Sequence, residues 1–266
     1  MTEHAAIFDF DDNAEWGPRL WELLRPYLPG NMAQIVGAAE PEFIEDAAEV
    51  VLVHADKQVL SAAMTGWLRS QRIRGYHGTR VNADELESIR RDGLLPLRVQ
   101  QRTERLQRVL SQHPRWGEVA HTLTVALELF GPGMRSGRRE GQVHLTVSRA
   151  GLVNGFNHYL KEGSEFDWHV SHHLLGSEGQ VLMAADGDAY LISLLVPEDA
   201  ALTACNRFGM PTDGFPNLVF DLFHVWIYWL GCPDYRASRL KLDCGMVFSD
   251  IVPVSWIDRV EKIDMI

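Results

Sequence analysis

The run Arg74-Gly75-Tyr76-His77-Gly78-Thr79-Arg80 is followed at once by an acidic helix start, Asn82-Ala83-Asp84-Glu85, and a glycine stop at Gly93. No other stretch constrains the fold as tightly. Residues 72–79 read as an apolar strand, and Leu86 and Ile89 then share one face of a helix. A strand that ends in an imidazole, a glycine with accessible backbone and a hydroxyl presents polar groups to one small planar ligand. Tyr76, His77, Gly78, Thr79 and Arg80 are therefore the first candidate binding residues.

Charge singles out the same region. The chain carries a net charge of −11, which argues against a general nucleic-acid binder, yet residues 69–149 hold fifteen arginines, no lysine and eight acidic residues, a local balance of +7. Residues 1–68 are the opposite, with twelve acidic and three basic residues. Arginine suits bidentate phosphate contacts. Arg102, Arg105 and Arg108 recur at three-residue spacing on one face of a helix over 99–110. That face is either an anion site inside an acidic protein or a solvated helical surface.

A chain of 266 residues with 46% hydrophobic content can bury one substantial core or two small ones. Residues 1–68 predict helices broken at Pro26, Pro29-Gly30 and Pro41, with a short β-branched apolar run over 49–54 and a helical pattern over 56–69. Further helices are expected over 116–130 and 218–230, and a flexible basic loop over 131–139. Strands are expected over 143–148, 180–185 and 190–196, the last two joined by a turn at Asp186-Gly187-Asp188, and near 245–248 and 252–260. Strands with irregular connections and mostly early helices predict an α+β fold rather than a βαβ repeat. Cys205, Cys232 and Cys244 stand too far apart for a Cys-x-x-Cys motif, so neither a disulfide framework nor a thiolate metal site is expected. His169, His172 and His173 form a His-x-x-His-His spacing, read as rim or solvated histidines, and no metal is expected. The start lacks a basic, apolar leader, and the longest apolar stretch, 215–232, is interrupted by Asp221 and His224. A soluble cytoplasmic protein without a membrane partner is the expectation.

Three pieces together carry a resemblance: Tyr76-His77-Gly78-Thr79-Arg80, the helix end Ile89-Arg90-Arg91-Asp92-Gly93-Leu94, and a late glutamate in Gly176-Ser177-Glu178-Gly179. Over about residues 70–185 they resemble the ADP-ribosyltransferase superfamily in its histidine-first, diphtheria-toxin and PARP-like branch. The resemblance implies a split mixed or antiparallel β-sheet core with flanking helices. The catalytic domain would span 69–266 with an arginine-rich helical insertion at about 98–139, and an acidic helical segment, 1–68, would pack on it. It implies NAD as co-substrate, with His77 on a ribose hydroxyl, the Gly78 backbone on the nicotinamide amide, and Glu178 at the nicotinamide ribose. Glu165 is its competitor, because a Gly-Ser-Glu tripeptide occurs at both places. A stacking ring would come from Tyr159 or Tyr76, with His144 as a replacement on the strand where the family carries tyrosine; Arg80 and Ser148 complete the pocket. The function so implied is cleavage of the nicotinamide–ribose bond and transfer of ADP-ribose to RNA, DNA or protein, as in a bacterial toxin or phage-defence effector with an antitoxin or regulatory partner. An NAD-dependent RNA 2′-phosphotransferase and an inactive binding module of the same fold are the alternatives. The Asp9-Phe10-Asp11 stretch superficially resembles haloacid-dehalogenase-type phosphotransferases, but Asn13 and Ala14 follow where a Thr or Val is required.

Overall fold

A computed structural model describes residues 6–130, 141–205, 217–239 and 245–264. Six strands form one sheet: β1 (Ala6–Phe8), β2 (Gln71–Val81), β3 (Val143–Thr146), β4 (Asp188–Val196), β5 (Gly245–Phe248) and β6 (Ile257–Lys262). Their order is β5–β3–β2–β4–β6, with β1 added on β2. The sheet is mixed, since β1 runs parallel to β2 in the register Ala6↔Gln71, while β4 and β6 are antiparallel in the register Tyr190↔Lys262. The architecture is thus α+β, and β2, which carries the His-Gly-Thr run, is central. The basic loop expected over 131–139 lies outside the described residues.

The chain contacts group into two compact units. The first comprises Met1–Gly75, Thr146–Gly155 and Leu195–Met246. Its axis is the helix Asn217–Gly231, which packs against the helices Asn13–Leu24, Met32–Ala39, Ile44–Leu52, Lys57–Leu68 and Glu198–Cys205. A helix apolar around most of its circumference has to be covered in this way, and Leu218, Leu222, Phe223, Trp226 and Ile227 are buried. Gly17 allows close approach, since a Cβ there would lie 2.9 Å from the Trp229 ring, and the Trp226 indole donates to the Gly17 carbonyl at 3.2 Å. The contacts thus group residues 1–68 differently from the expected division at 68/69. Residues 1–68 share this helical unit with Thr146–Gly155 and Leu195–Met246. Residues 50–52, read as a β-branched run, fall in Ile44–Leu52, where Ala47, Ala48 and Val51 supply a buried helical stripe.

The second unit comprises Tyr76–Leu145, Phe156–Leu194 and Val247–Ile266. Its helix Ala83–Asp92 begins with a capping box, the Asn82 side chain accepting from the Glu85 amide at 2.9 Å and the Glu85 carboxylate from the Asn82 amide at 3.0 Å. The helix ends at Gly93 with φ +83°, and a Cβ there would run into the Val252 carbonyl. Only glycine satisfies both demands. Leu94 and Val252 then exchange backbone hydrogen bonds of 2.9 and 3.0 Å.

The strand expected over 180–185 is instead the helix Ser177–Ala185. It packs against the helix Glu165–Leu175, with Gly176 at φ +63° joining the two helices and a Cβ at Gly179 falling 2.5 Å from the Ser171 carbonyl. Met183 joins Leu106, Leu110, Phe166, Val170 and Leu174 in the core. The helix expected over 116–130 breaks into Trp116–Val119, a 3₁₀ turn at Ala120–Thr122 and Leu123–Phe130.

Arg102 and Arg105 on Val99–Leu110 point inward, while Arg108 stays half exposed. Arg102 grips both oxygens of Asp167, whose residue is 1% exposed, and Arg105 meets Asp186 at 3.0 Å, the Asp186 carbonyl at 2.8 Å and the Arg80 carbonyl at 3.3 Å. Arg108 binds both Asp186 oxygens at 2.8 Å, and Glu85 lies 3.6 Å from Arg102 and Arg105. Internal carboxylates neutralise all three, so the expectation of an anion site or a solvated face is overturned for Arg102 and Arg105, while Arg108, with a half-exposed side chain, keeps a solvated position. Breaking such a buried pair strands a charge, so Asp167→Asn is expected to lower unfolding free energy by about 3–5 kcal/mol in denaturant titration; a change within about 0.5 kcal/mol would contradict this account of the network.

Candidate functional site

The second unit encloses a cavity of about 460 Å³ lined by residues of β2, β3, the segment 93–102 and the turn into Glu165–Leu175. Its volume lies within the roughly 300–1,000 Å³ of small-molecule sites. The alternation of β2 sends His77 and Thr79 toward the cavity, with Gly78 also on the wall, while Tyr76 is 4% exposed and does not line it. Leu94, Leu95, Pro96, Leu97 and Phe166 provide an apolar wall.

His77 Nδ1 lies 2.8 Å from the backbone carbonyl of His144 on β3. A carbonyl oxygen only accepts, so Nδ1 carries the proton, and in the neutral ring Nε2 is an acceptor. Burial pushes the His77 pKa below its ordinary value of 6.5, against the opposing effect of the His144 carbonyl. The neutral form thus prevails at pH 7. His144 itself lines the cavity, its Nε2 placed 3.1 Å from Oε1 of Gln142, a residue on the same wall.

Opposite in sequence, residues 158–165 supply the carboxylate. The one-turn helix His158–Lys161 is anchored by fully buried Leu160, and Gly163, at φ +84°, turns the chain into Ser164 and the helix Glu165–Leu175. The Tyr159 hydroxyl donates to Oε1 of Glu165 at 3.2 Å, and His158 Nε2 meets the same oxygen at 3.2 Å. Tyr159 and Glu165 both line the cavity.

The other expected residues lie elsewhere. Glu178 is on Ser177–Ala185, with a 66% exposed side chain 3.2 Å from His113 Nε2, and is not among the lining residues. Its expected place at a strand start fails because that strand is a helix. Ser148 belongs to the first unit, where it caps the helix Arg149–Asn154 by accepting from the Gly151 amide at 2.9 Å and donates to Asp11 Oδ1 at 2.8 Å. Asp11 also accepts from the Ala150 amide at 2.8 Å, so this aspartate is a structural cap. Arg80 turns from the cavity to the carbonyls of Ala184 and Leu160. His169, His172 and His173 are exposed, with Phe130 stacked on His169, and among the described residues no group of three or more His, Cys, Asp or Glu side chains is arranged to hold a metal.

Gln142 and the wall 94–97 were not legible as site residues, whereas Arg98 opens the arginine-rich stretch 98–139. Arg98 and Arg102 are the arginines of the wall, and Arg102 is held by Asp167. The exposed Arg98 guanidinium makes no hydrogen bond or ion pair with the described residues. No family model, characterised protein or solved structure matches the chain.

The depressed His77 pKa links the site to acid stability. Below pH 6.5 the unfolded chain takes up a proton that folded His77 resists, so stability is held above that pH and falls as pH drops through the folded pKa. Melting temperatures between pH 7.5 and pH 5 should therefore fall less steeply for His77→Gln than for the wild type; parallel profiles would contradict a His77 pKa held below its ordinary value.

Proposed function

We propose that the protein is an NAD-dependent ADP-ribosyltransferase in which Glu165, not Glu178, is the working carboxylate. The observation that carries this reading is the convergence of His77, Tyr159 and Glu165 on one cavity. It joins the family resemblance of the His-Gly-Thr strand and the helix ending at Gly93 to a carboxylate of the type the reaction needs.

His77 Nε2 accepts a hydrogen bond from a ribose hydroxyl, a role open to the neutral ring and closed to imidazolium. The Gly78 backbone and the Tyr159 ring hold the nicotinamide. Bond cleavage sends the C1′–N electron pair out with nicotinamide and leaves positive character on the ribose. Glu165 stabilises that charge inside a largely apolar wall, where a fixed carboxylate acts more strongly than in water. An acceptor nucleophile then bonds to C1′ and releases its proton. Arg98, the lining cation without an internal partner among the described residues, is left for the phosphates. The reading as an RNA 2′-phosphotransferase leans on arginines beside His77 and needs no glutamate; Arg80 is bound to backbone carbonyls instead, which favours the transferase.

Incubation with labelled NAD and RNA, DNA or protein acceptors tests the proposal. The wild type is expected to release nicotinamide and label an acceptor. Glu165→Gln should lower kcat by about 100-fold or more, as loss of one preorganised electrostatic contact does. Glu178→Gln should retain wild-type turnover, and Arg98→Ala should raise KM for NAD about tenfold. Wild-type activity in Glu165→Gln, or loss in Glu178→Gln alone, would refute the assignment.

A further inference from the structure

Glu165 is held by a residue that does not itself face the cavity. His158 does not line the wall, yet its Nε2 lies 3.2 Å from Glu165 Oε1, the same oxygen that accepts from Tyr159 at 3.2 Å. The two rings are 4.1 Å apart and tilted by 40°, so each restricts the other. Both belong to the single turn His158–Lys161, whose Leu160 is fully buried, and Gly163 folds the start of Glu165–Leu175 back over them.

The last torsion of a glutamate is broad and roughly two-fold, so a carboxylate bound by one neutral donor can still swing. Two donors on one oxygen, His158 Nε2 and the Tyr159 hydroxyl, restrict that freedom. Because a carboxylate only accepts, the proton at the His158–Glu165 contact is on Nε2. We infer that His158 is a positioning residue for the transferase reaction proposed above: with the Tyr159 hydroxyl, its Nε2–H fixes the plane of the Glu165 carboxylate, so that the edge facing the cavity stays aimed at the ribose. Its position outside the wall leaves ligand affinity to other side chains. Its effect therefore belongs to the chemical step, where a small misplacement of a catalytic group is costly.

The test is steady-state nicotinamide release by His158→Leu, His158→Gln and both in a Glu165→Gln background, together with melting temperatures and crystal structures of wild type and His158→Leu. Removing one charge-assisted donor is expected to lower kcat about tenfold in His158→Leu with KM for NAD within about twofold. His158→Gln, which keeps an N–H near the Nε2 position, should recover kcat to within about threefold of wild type. Combined with Glu165→Gln, His158→Leu should cause no further loss. The crystal structure of His158→Leu should show the Glu165 carboxylate rotated or spread over two orientations. An unchanged kcat, an additive loss in the double variant, or a carboxylate that keeps its wild-type orientation would overturn the inference. Equal losses in His158→Leu and His158→Gln, accompanied by equally lowered melting temperatures, would also overturn it by assigning His158 a purely structural role. A wild type that neither binds NAD nor releases nicotinamide defeats the transferase reading separately, and the carboxylate orientation still decides whether His158 positions Glu165.

Discussion

The pairing of Asp167 with Arg102 and Arg105 is the constraint on which the second unit depends. Asp167 is 1% exposed and Arg105 6%, and burying such charges costs several kcal/mol each unless partners and hydrogen bonds replace the water. The partners come from distant parts of the chain: Val99–Leu110 supplies the guanidinium groups, Glu165–Leu175 supplies Asp167, and the approach to β4 supplies Asp186. Arg105 also binds the carbonyl of Arg80 at the end of β2. Helix, helix, turn and central strand are thus fixed to one another by directional bonds that an apolar contact alone would leave free to slide. The charge of Arg102 is answered in the same way: Asp167 and Glu85 raise its pKa despite burial.

Glu165 stands two residues before Asp167, in the turn that the network fixes. The geometry of the cavity follows from that tether. His77 is set by β2 and its hydrogen bond to β3, Glu165 by the first turn of its helix and by His158 and Tyr159, and the apolar wall by the segment that leaves Gly93 after a bridge to Val252. His77 and Glu165 are each held by backbone or by a second side chain before any ligand arrives, the arrangement under which electrostatic stabilisation of a developing charge has least reorganisation to perform.

The parts of this fold that were legible in the sequence are those where local chemistry and tertiary structure agree. Asn82 and Glu85 announce a capping box, Gly93 a left-handed stop, and residues 99–110 a helix whose observed ends, Val99 and Leu110, are the expected ones. The region 180–185 failed because a short apolar run fits a buried strand and a helix equally well. Gln180, Leu182, Met183 and Ala184 favour a helix, and Gly179, read as a strand edge, serves helix packing. Of the two Gly-Ser-Glu tripeptides, the one at 163–165 lines the cavity and the one at 176–178 does not, and only the tertiary arrangement distinguishes them. Arginine spacing gave the face of the helix correctly but not its partners, because Asp167 and Asp186 are more than 60 residues away in sequence. The pairing of residues 1–68 with Asn217–Gly231 was hidden for the same reason.

The central claim is that the cavity between His77 and Glu165 receives the nicotinamide end of NAD. A crystal structure of the full chain with a non-hydrolysable NAD analogue tests it most directly. The account predicts the nicotinamide ring beside Gly78 and Tyr159, with the adjoining ribose hydroxyls bonded to His77 Nε2 and the Glu165 carboxylate. An analogue bound beside Glu178, or a cavity left without it at saturating concentration, would contradict the claim.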